Sequence, residues 1–139
     1  MTDTIRVIAP DDPLLFELVA LALRNPLDNA FLIADLTQLR HHCTTAAIVR
    51  DQIPVAVASF YRDLSFRTIA LMADNADDAR VLVAKLVRMN PELGDGLVYD
   101  FYTRGMATLL RESFAAKAVM TEYPMVLKGA IPDIKVDSA

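Results

Sequence analysis

Three apolar runs separated by connections of two and four residues constrain this chain more than anything else in it. Thr44–Arg50, Ile53–Tyr61 and Phe66–Met72 each read as a strand, and Asp51-Gln52 and Arg62-Asp63-Leu64-Ser65 are the links. Links this short leave no room for a crossover, so the three strands should form an antiparallel meander. The middle run is apolar on both alternating faces, with Val55 and Val57 on one and Ala56, Ala58 and Phe60 on the other. A strand of that kind is expected to be covered on both sides.

The covering elements are legible on either side of the meander. Ile5–Ala9 reads as a first strand, after which Asp11-Asp12-Pro13 puts a capping residue before a proline at the first helical position. Leu14, Leu15, Leu18, Val19 and Ala22 then follow at helical spacing, which predicts a helix to about Arg24. Asn25-Pro26 repeats the start signal. The second helix carries Leu27, Ala30, Phe31 and Ala34 on one face with Leu32, Leu36 and Leu39 beside it, and ends near Arg40-His41-His42. Being apolar around much of its circumference, it should be well buried or lie in an interface. After the meander, an Asp-rich segment caps a third helix over about Asp77–Met89, with Leu82, Val83, Leu86 and Val87 inward and Asn90-Pro91 as its stop. Glu92–Gly96 is a loop and Leu97–Phe101 a strand; a fourth helix opens near Thr103, carrying Met106, Leu109, Leu110 and Phe114; and Val119–Leu127 is the closing strand. The expected fold is therefore α/β (α+β), a mixed, mainly antiparallel sheet flanked by four helices. Residues 1–128 form one domain, and 129–139, with Gly, Pro and polar residues and no period, form a tail or linker.

Composition narrows the partners. The chain has 139 residues, 54% of them hydrophobic, enough for one domain with a real core. Formal net charge is −4 and no basic run occurs, so neither nucleic acid nor an anionic membrane is an expected partner. The longest apolar stretches, such as Leu18–Leu23, fall far short of a membrane span, and Met1–Arg6 lacks the basic start and apolar core of a signal peptide. A single cysteine, Cys43, fits a reducing, cytoplasmic setting.

No glycine occurs before Gly94. In folds that alternate strands and helices, a bound phosphate usually sits where a strand hands over to a helix, cradled by glycine-rich backbone. Here that handover reads Ala73-Asp74-Asn75-Ala76-Asp77-Asp78-Ala79, with three carboxylates and no glycine. Carboxylates at a helix start complement its dipole, each by about 0.3–1 kcal/mol, and would repel a phosphate.

The element order, together with Arg24-Asn25-Pro26-Leu27-Asp28-Asn29-Ala30-Phe31-Leu32-Ile33-Ala34-Asp35-Leu36, resembles the GNAT superfamily of acyl-CoA-dependent N-acetyltransferases. That segment is similar to the "NP…N.FLL.DL" opening of GNAT proteins in which two such halves lie in tandem, and it belongs to their N-terminal half. Glu122-Tyr123-Pro124-Met125-Val126-Leu127 resembles the closing strand of the same half. The resemblance spans roughly Ile5–Lys128 and implies a catalytic half elsewhere. It also implies a Q/R-x-x-G-x-G/A segment before the third helix, whose backbone N–H groups hold the pyrophosphate of CoA. Asp74, Asp77 and Asp78 stand there instead.

Tyr102-Thr103-Arg104-Gly105-Met106-Ala107 contains the tail of the missing pattern, one strand later. Thr103, Arg104 and Gly105 are thus candidate cofactor-binding residues: a cap, a phosphate-reaching guanidinium and a close-approach backbone. For an acid toward the leaving thiolate, Tyr102 and Tyr123 are the candidates, with Tyr99 a further strand tyrosine and Asp100 and Glu122 as strand carboxylates. His41-His42-Cys43 is no metal set, since adjacent residues at a helix end diverge and no further ligand completes a site. The two histidines are expected to complement the negative end of the second helix, and Cys43 to be a small buried hydrophobe.

The leading expectation is a GNAT-family domain that is a degenerate or accessory half, binding no cofactor and pairing with a second GNAT domain or a second copy of itself. One alternative is an active N-acetyltransferase using acetyl-CoA on a small-molecule or protein amine. The other is a structural dimerisation module built on the apolar second helix.

Overall fold

The computed structural model describes residues 3–63, 68–95 and 97–100. The fourth helix and closing strand expected over 103–127, and the tail over 129–139, lie outside the described residues. So the flanking helices number three here: α1 (Leu14–Ala22), α2 (Ala30–Leu36) and α3 (Ala76–Met89). The strands are β1 (Asp3–Ile8), β2 (Cys43–Arg50), β3 (Ile53–Tyr61), β4 (Thr68–Met72) and β5 (Leu97–Asp100). They form one sheet in chain order. The first four pair antiparallel, and β5 lies parallel to β4 across the α3 crossover.

The sheet is buried on both faces, as the sequence of β3 requires. On one face Ala46, Ile48, Ala58, Phe60, Ile69 and Leu71 pack against Ala79, Leu82, Val83 and Leu86 of α3. On the other, Ala47, Val57 and Ala70 meet Leu15, Leu18 and Ala22 of α1 and Leu32 and Leu36 of α2. Complete burial of Leu18, Leu32, Leu82 and Leu86 contributes about 1.5–3 kcal/mol each.

Val55 does not share a face with Val57. It packs into the α3-side cluster with Ala56, Ala58 and Phe60. The cause is Pro54, which has no N–H for the ladder. The register slips between Ile48 and Val49, so that Ile48 pairs with Ala56 while Val49 pairs with Pro54. Val55 is the extra residue of this bulge, the usual accommodation of a proline within a strand.

The helices before the meander are shorter than their spacing suggests. In α1 the reading of Asp12-Pro13 holds: Pro13 already has helical dihedrals, and the Asp12 carboxylate accepts from the Leu14 N–H at 2.9 Å. The segment expected to start α2 at Pro26 is instead a turn. Asn29 is buried there and donates to the Ala22 carbonyl at 3.1 Å, closing the end of α1. The helix that follows buries Leu32, Asp35 and Leu36, whereas Leu27 and Phe31, expected on its main face, are 51% and 59% exposed. It ends at Leu36 because Thr37 turns its hydroxyl back to the Ile33 carbonyl at 2.7 Å.

The β2–β3 connection shows what the missing glycine costs. Asp51 and Gln52 have φ of 51° and 67°, both left-handed. A two-residue hairpin wants this geometry because it matches the strand twist, and Asp-Gly or Asn-Gly is the usual sequence for it. Gln52→Gly should relieve the Cβ clash at one position. We expect it to stabilise the fold by about 0.5–1 kcal/mol, seen as a higher urea midpoint at unchanged slope; a lower midpoint would show that Gln52 is not strained.

Candidate functional site

Where two parallel strands are joined through a helix, ligands bind at the carboxyl ends of the strands. In this chain that place is the junction of β4 and α3, residues 73–78, beside the end of β5. The backbone sets Asp100 of β5 opposite Leu71 and Tyr99 opposite Ala70.

The start of α3 is closed by its own side chains. Asn75 is the N-cap, in extended conformation, and its Oδ1 accepts from the Asp78 N–H at 2.9 Å. Its Nδ2 donates to Asp78 Oδ2 at 3.0 Å. Asp78 is only 8% exposed. Arg50, at the end of β2, reaches it through both terminal nitrogens, at 3.0 Å and 3.4 Å. The same guanidinium also holds Asp3 of β1, at 2.8 Å and 2.9 Å. The bond to Arg50 pulls the Asp3 carboxyl below its ordinary pKa, and the bonds to Asp3 and then Asp78 push Arg50 further up. One cation thus ties the edge strand, the central hairpin and the helix start together.

The remaining charges at this end are acidic. Asp74 and Asp77 are exposed, and Asp77 pairs with Arg80 at 3.2 Å, one turn on. Asp3, Asp74, Asp77 and Asp78 stand with Arg50 and Arg80 here, a net charge of −2 from −4 and +2 among these six groups. Two open hollows flank the nearby Asp51-Gln52 turn, one lined by Glu17, Leu21 and Arg24 among others and one by Thr4 and Val49, and neither includes a residue of the junction.

The sequence located the junction but not its cap. The capping side chain is Asn75, not an aspartate, because only Asn75 stands immediately before the helix with Asp78 three residues on. That spacing is the capping-box signal and was readable. Arg50 was not, being 28 residues from Asp78 in the chain.

The other candidates separate. Tyr102, Thr103, Arg104, Gly105, Glu122 and Tyr123 lie outside the described residues. Cys43 is buried, and burial followed by the nearby Asp35 pushes its thiol up to about 12, so it is no ready nucleophile. The histidines do not complement the end of α2. They lie in a separate 3-10 turn, Arg40–His42, where His42 Nδ1 pairs with the Asp63 carboxylate. The end of α2 is met by Thr37 instead, and Arg40 donates to the Thr37 carbonyl at 2.7 Å. No group of three or more His, Cys, Asp or Glu side chains that could hold a metal occurs among the described residues, nor is any described helix long and apolar enough to cross a membrane.

No protein-family model matches the chain, and no curated protein does. Solved structures do. A ribosomal-protein-alanine N-acetyltransferase from Brucella melitensis biovar Abortus 2308 aligns over 91% of this chain and 100% of its own, at 16% identity and a TM-score of 0.52. An aminoglycoside acetyltransferase from an uncultured soil metagenomic sample aligns over 92% and 100%, at 13% identity and a TM-score of 0.56. A second such enzyme, solved in complex with sisomicin, aligns over 91% and 97%, at 14% identity and a TM-score of 0.54. The fold is that of the GNAT N-acetyltransferases.

If Asn75 caps α3 as described, Asn75→Ala should cost about 1 kcal/mol of stability, while Asn75→Gly should cost only a few tenths. Urea unfolding of the two variants tests this; equal losses would remove the cap from the account.

Proposed function

We propose that this chain is a GNAT-fold domain that does not bind acetyl-CoA in the ordinary way and acts as an accessory half beside a second GNAT domain. One observation carries this reading: the Asn75–Asp78–Arg50 assembly at the start of α3. A pyrophosphate seat needs helix N–H groups facing outward, backbone free of side chains, and a positive field. Here Asn75 takes the Asp78 N–H, Arg50 is spent on Asp78 and Asp3, and Asp74 and Asp77 add negative charge in front. A pyrophosphate would have to displace the buried carboxylate from its guanidinium while facing the other two.

The proposed partner is a second GNAT domain, in tandem or as another copy. Phe16, Leu23 and Leu27, 83%, 52% and 51% exposed in and after α1, give apolar surface for such an association. Light scattering at high concentration tests self-pairing, with a dimer expected if the partner is another copy. The single buried cysteine supports a cytoplasmic setting.

Melting with and without acetyl-CoA separates this reading from an active enzyme. A ligand at 100 times its dissociation constant adds about 2.7 kcal/mol, roughly 10 °C for a domain of this size. We expect no shift. A clear shift would overturn the proposal in favour of an acetyltransferase, and its loss in Gly105→Glu would put the cofactor at Thr103, Arg104 and Gly105, with Tyr102 and Tyr123 as the acids to test.

A further inference from the structure

β1 is an edge of the sheet, and the pairing of its neighbour β2 decides which of its backbone groups point outward. The Arg62 N–H donates to the His42 carbonyl at 2.9 Å, which makes the next opposed pair, Cys43 and Tyr61, a non-hydrogen-bonded one. Alternation then turns the N–H and C=O groups of Thr45, Ala47 and Val49 away from β3 and toward β1. The turn at Asp51-Gln52 gives the same phase from the other end, because a two-residue hairpin is closed by a bonded pair, here Arg50 and Ile53. In β1 the partners of Thr45, Ala47 and Val49 are Ile8, Arg6 and Thr4. Asp3, Ile5 and Val7 therefore turn their backbone groups outward, with no strand beyond them among the described residues.

The side chains of these three residues also share a face. Ile8 belongs to the cluster under α1 and α2, so alternation puts Asp3, Ile5 and Val7 on the α3 face. The α3 cluster takes residues from β2, β3 and β4 and none from β1, which leaves Ile5 38% and Val7 48% exposed. Edge strands are commonly blunted by a proline, a bulge or a lysine. β1 has none of these and pairs with β2 in unbroken register. Its cation, Arg6, lies on the other face and is held by Asp12 at 2.6 Å.

Charge says what covers this edge. As the crossover between β4 and β5, α3 runs against β4 and so in the direction of β1. The acidic Asp74, Asp77 and Asp78 stand at its start, beside Asp3, and the basic Lys85 and Arg88 stand toward its end. Asp78, Lys85 and Met89 lie on one stripe of the helix, which the bond from Asp78 to Arg50 turns toward β1. The α3 face beside β1 is thus negative at one end and positive at the other. A second copy laid antiparallel sets each acidic end beside the other's basic end, whereas a parallel one sets like ends together.

We propose that β1 is the docking edge for a second copy of this chain, the two β1 strands pairing antiparallel about a two-fold axis at Ile5 to give one continuous sheet through both. In this register Ile5 faces Ile5 and Asp3 faces Val7 of the other copy, so the outward groups of all three residues are paired and the exposed Ile5 and Val7 cover their counterparts. Sliding the strands one way sets Arg6 directly against Arg6, and sliding them the other way carries Val7 past Asp3 and out of the ladder. The proposal rests on the second-copy form of the pairing proposed above and not on the closure of the α3 start.

Sedimentation of the full chain over a concentration series should show a monomer–dimer equilibrium. Ile5→Lys and Ile5→Glu should each weaken the dimer by about tenfold or more, because each sets like charges face to face on the axis. Mixing the two variants should restore it as a heterodimer. A dimer that survives both substitutions, or a mixture that stays monomeric, overturns the edge while leaving self-pairing through another surface. A natural chain that is monomeric throughout overturns it too, and melting with acetyl-CoA still judges the accessory reading separately. Should the variants fail to fold, hydrogen exchange of the natural chain decides: the Ile5 and Val7 amides should gain protection as concentration rises while those of Thr4 and Arg6 are protected throughout. Exchange at Ile5 and Val7 that ignores concentration overturns the proposal.

Discussion

The guanidinium of Arg50 holds together parts that the chain leaves far apart. It stands at the last position of β2, directly before the left-handed turn. From there it reaches Asp3 at the start of the edge strand and Asp78 in the first turn of α3. The hairpin geometry therefore decides where the cation sits, and the cation decides how the helix start is closed. A guanidinium suits this because its planar fork can serve two carboxylates at once. Removing Arg50 is the damaging change, since it leaves Asp78 buried without its cation, and an unpaired buried carboxylate is costly.

Much of the architecture could be read from local signals. The meander followed from link length, and the two-sided cover of β3 from its lack of a polar face. The start of α1 followed from Asp12-Pro13, and α3 from its inward Leu82, Val83 and Leu86. The failures have local causes too. The face of Val55 was misjudged because alternation was carried through Pro54, where the missing N–H breaks the register. The length of α2 was overestimated because apolar periodicity does not reveal that Asn29 and Thr37 spend their side chains on neighbouring carbonyls. The closure of the α3 start was half legible: its acidity showed in the sequence, but Arg50 entered only through the sheet.

The resemblance segment takes on a physical meaning in this light. Asn25 and Asp28 hydrogen-bond to each other in the turn, Asn29 closes α1, and Leu32, Asp35 and Leu36 face the sheet. Its polar positions serve the joint between two helices, so the segment identifies a fold more than a chemistry. That fits the comparisons, which support the GNAT fold at identities where little besides the fold is retained.

The two buried aspartates, one in the first turn of α3 and one in α2, sit in different surroundings. Asp78 and Asp35 have nearly the same exposure, 8% and 7%. Asp78 faces a guanidinium, an amide and a helix N–H. Asp35 faces a thiol and a hydroxyl amid apolar side chains, which compensate a charge only weakly. The first fixes structure and fills the end of the sheet where ligands of this fold class bind. Burial raises the carboxyl of the second to about 6. α3 and α2 pack on opposite faces of the sheet, so the joint at the start of α3 and the buried polar site of α2 are built separately.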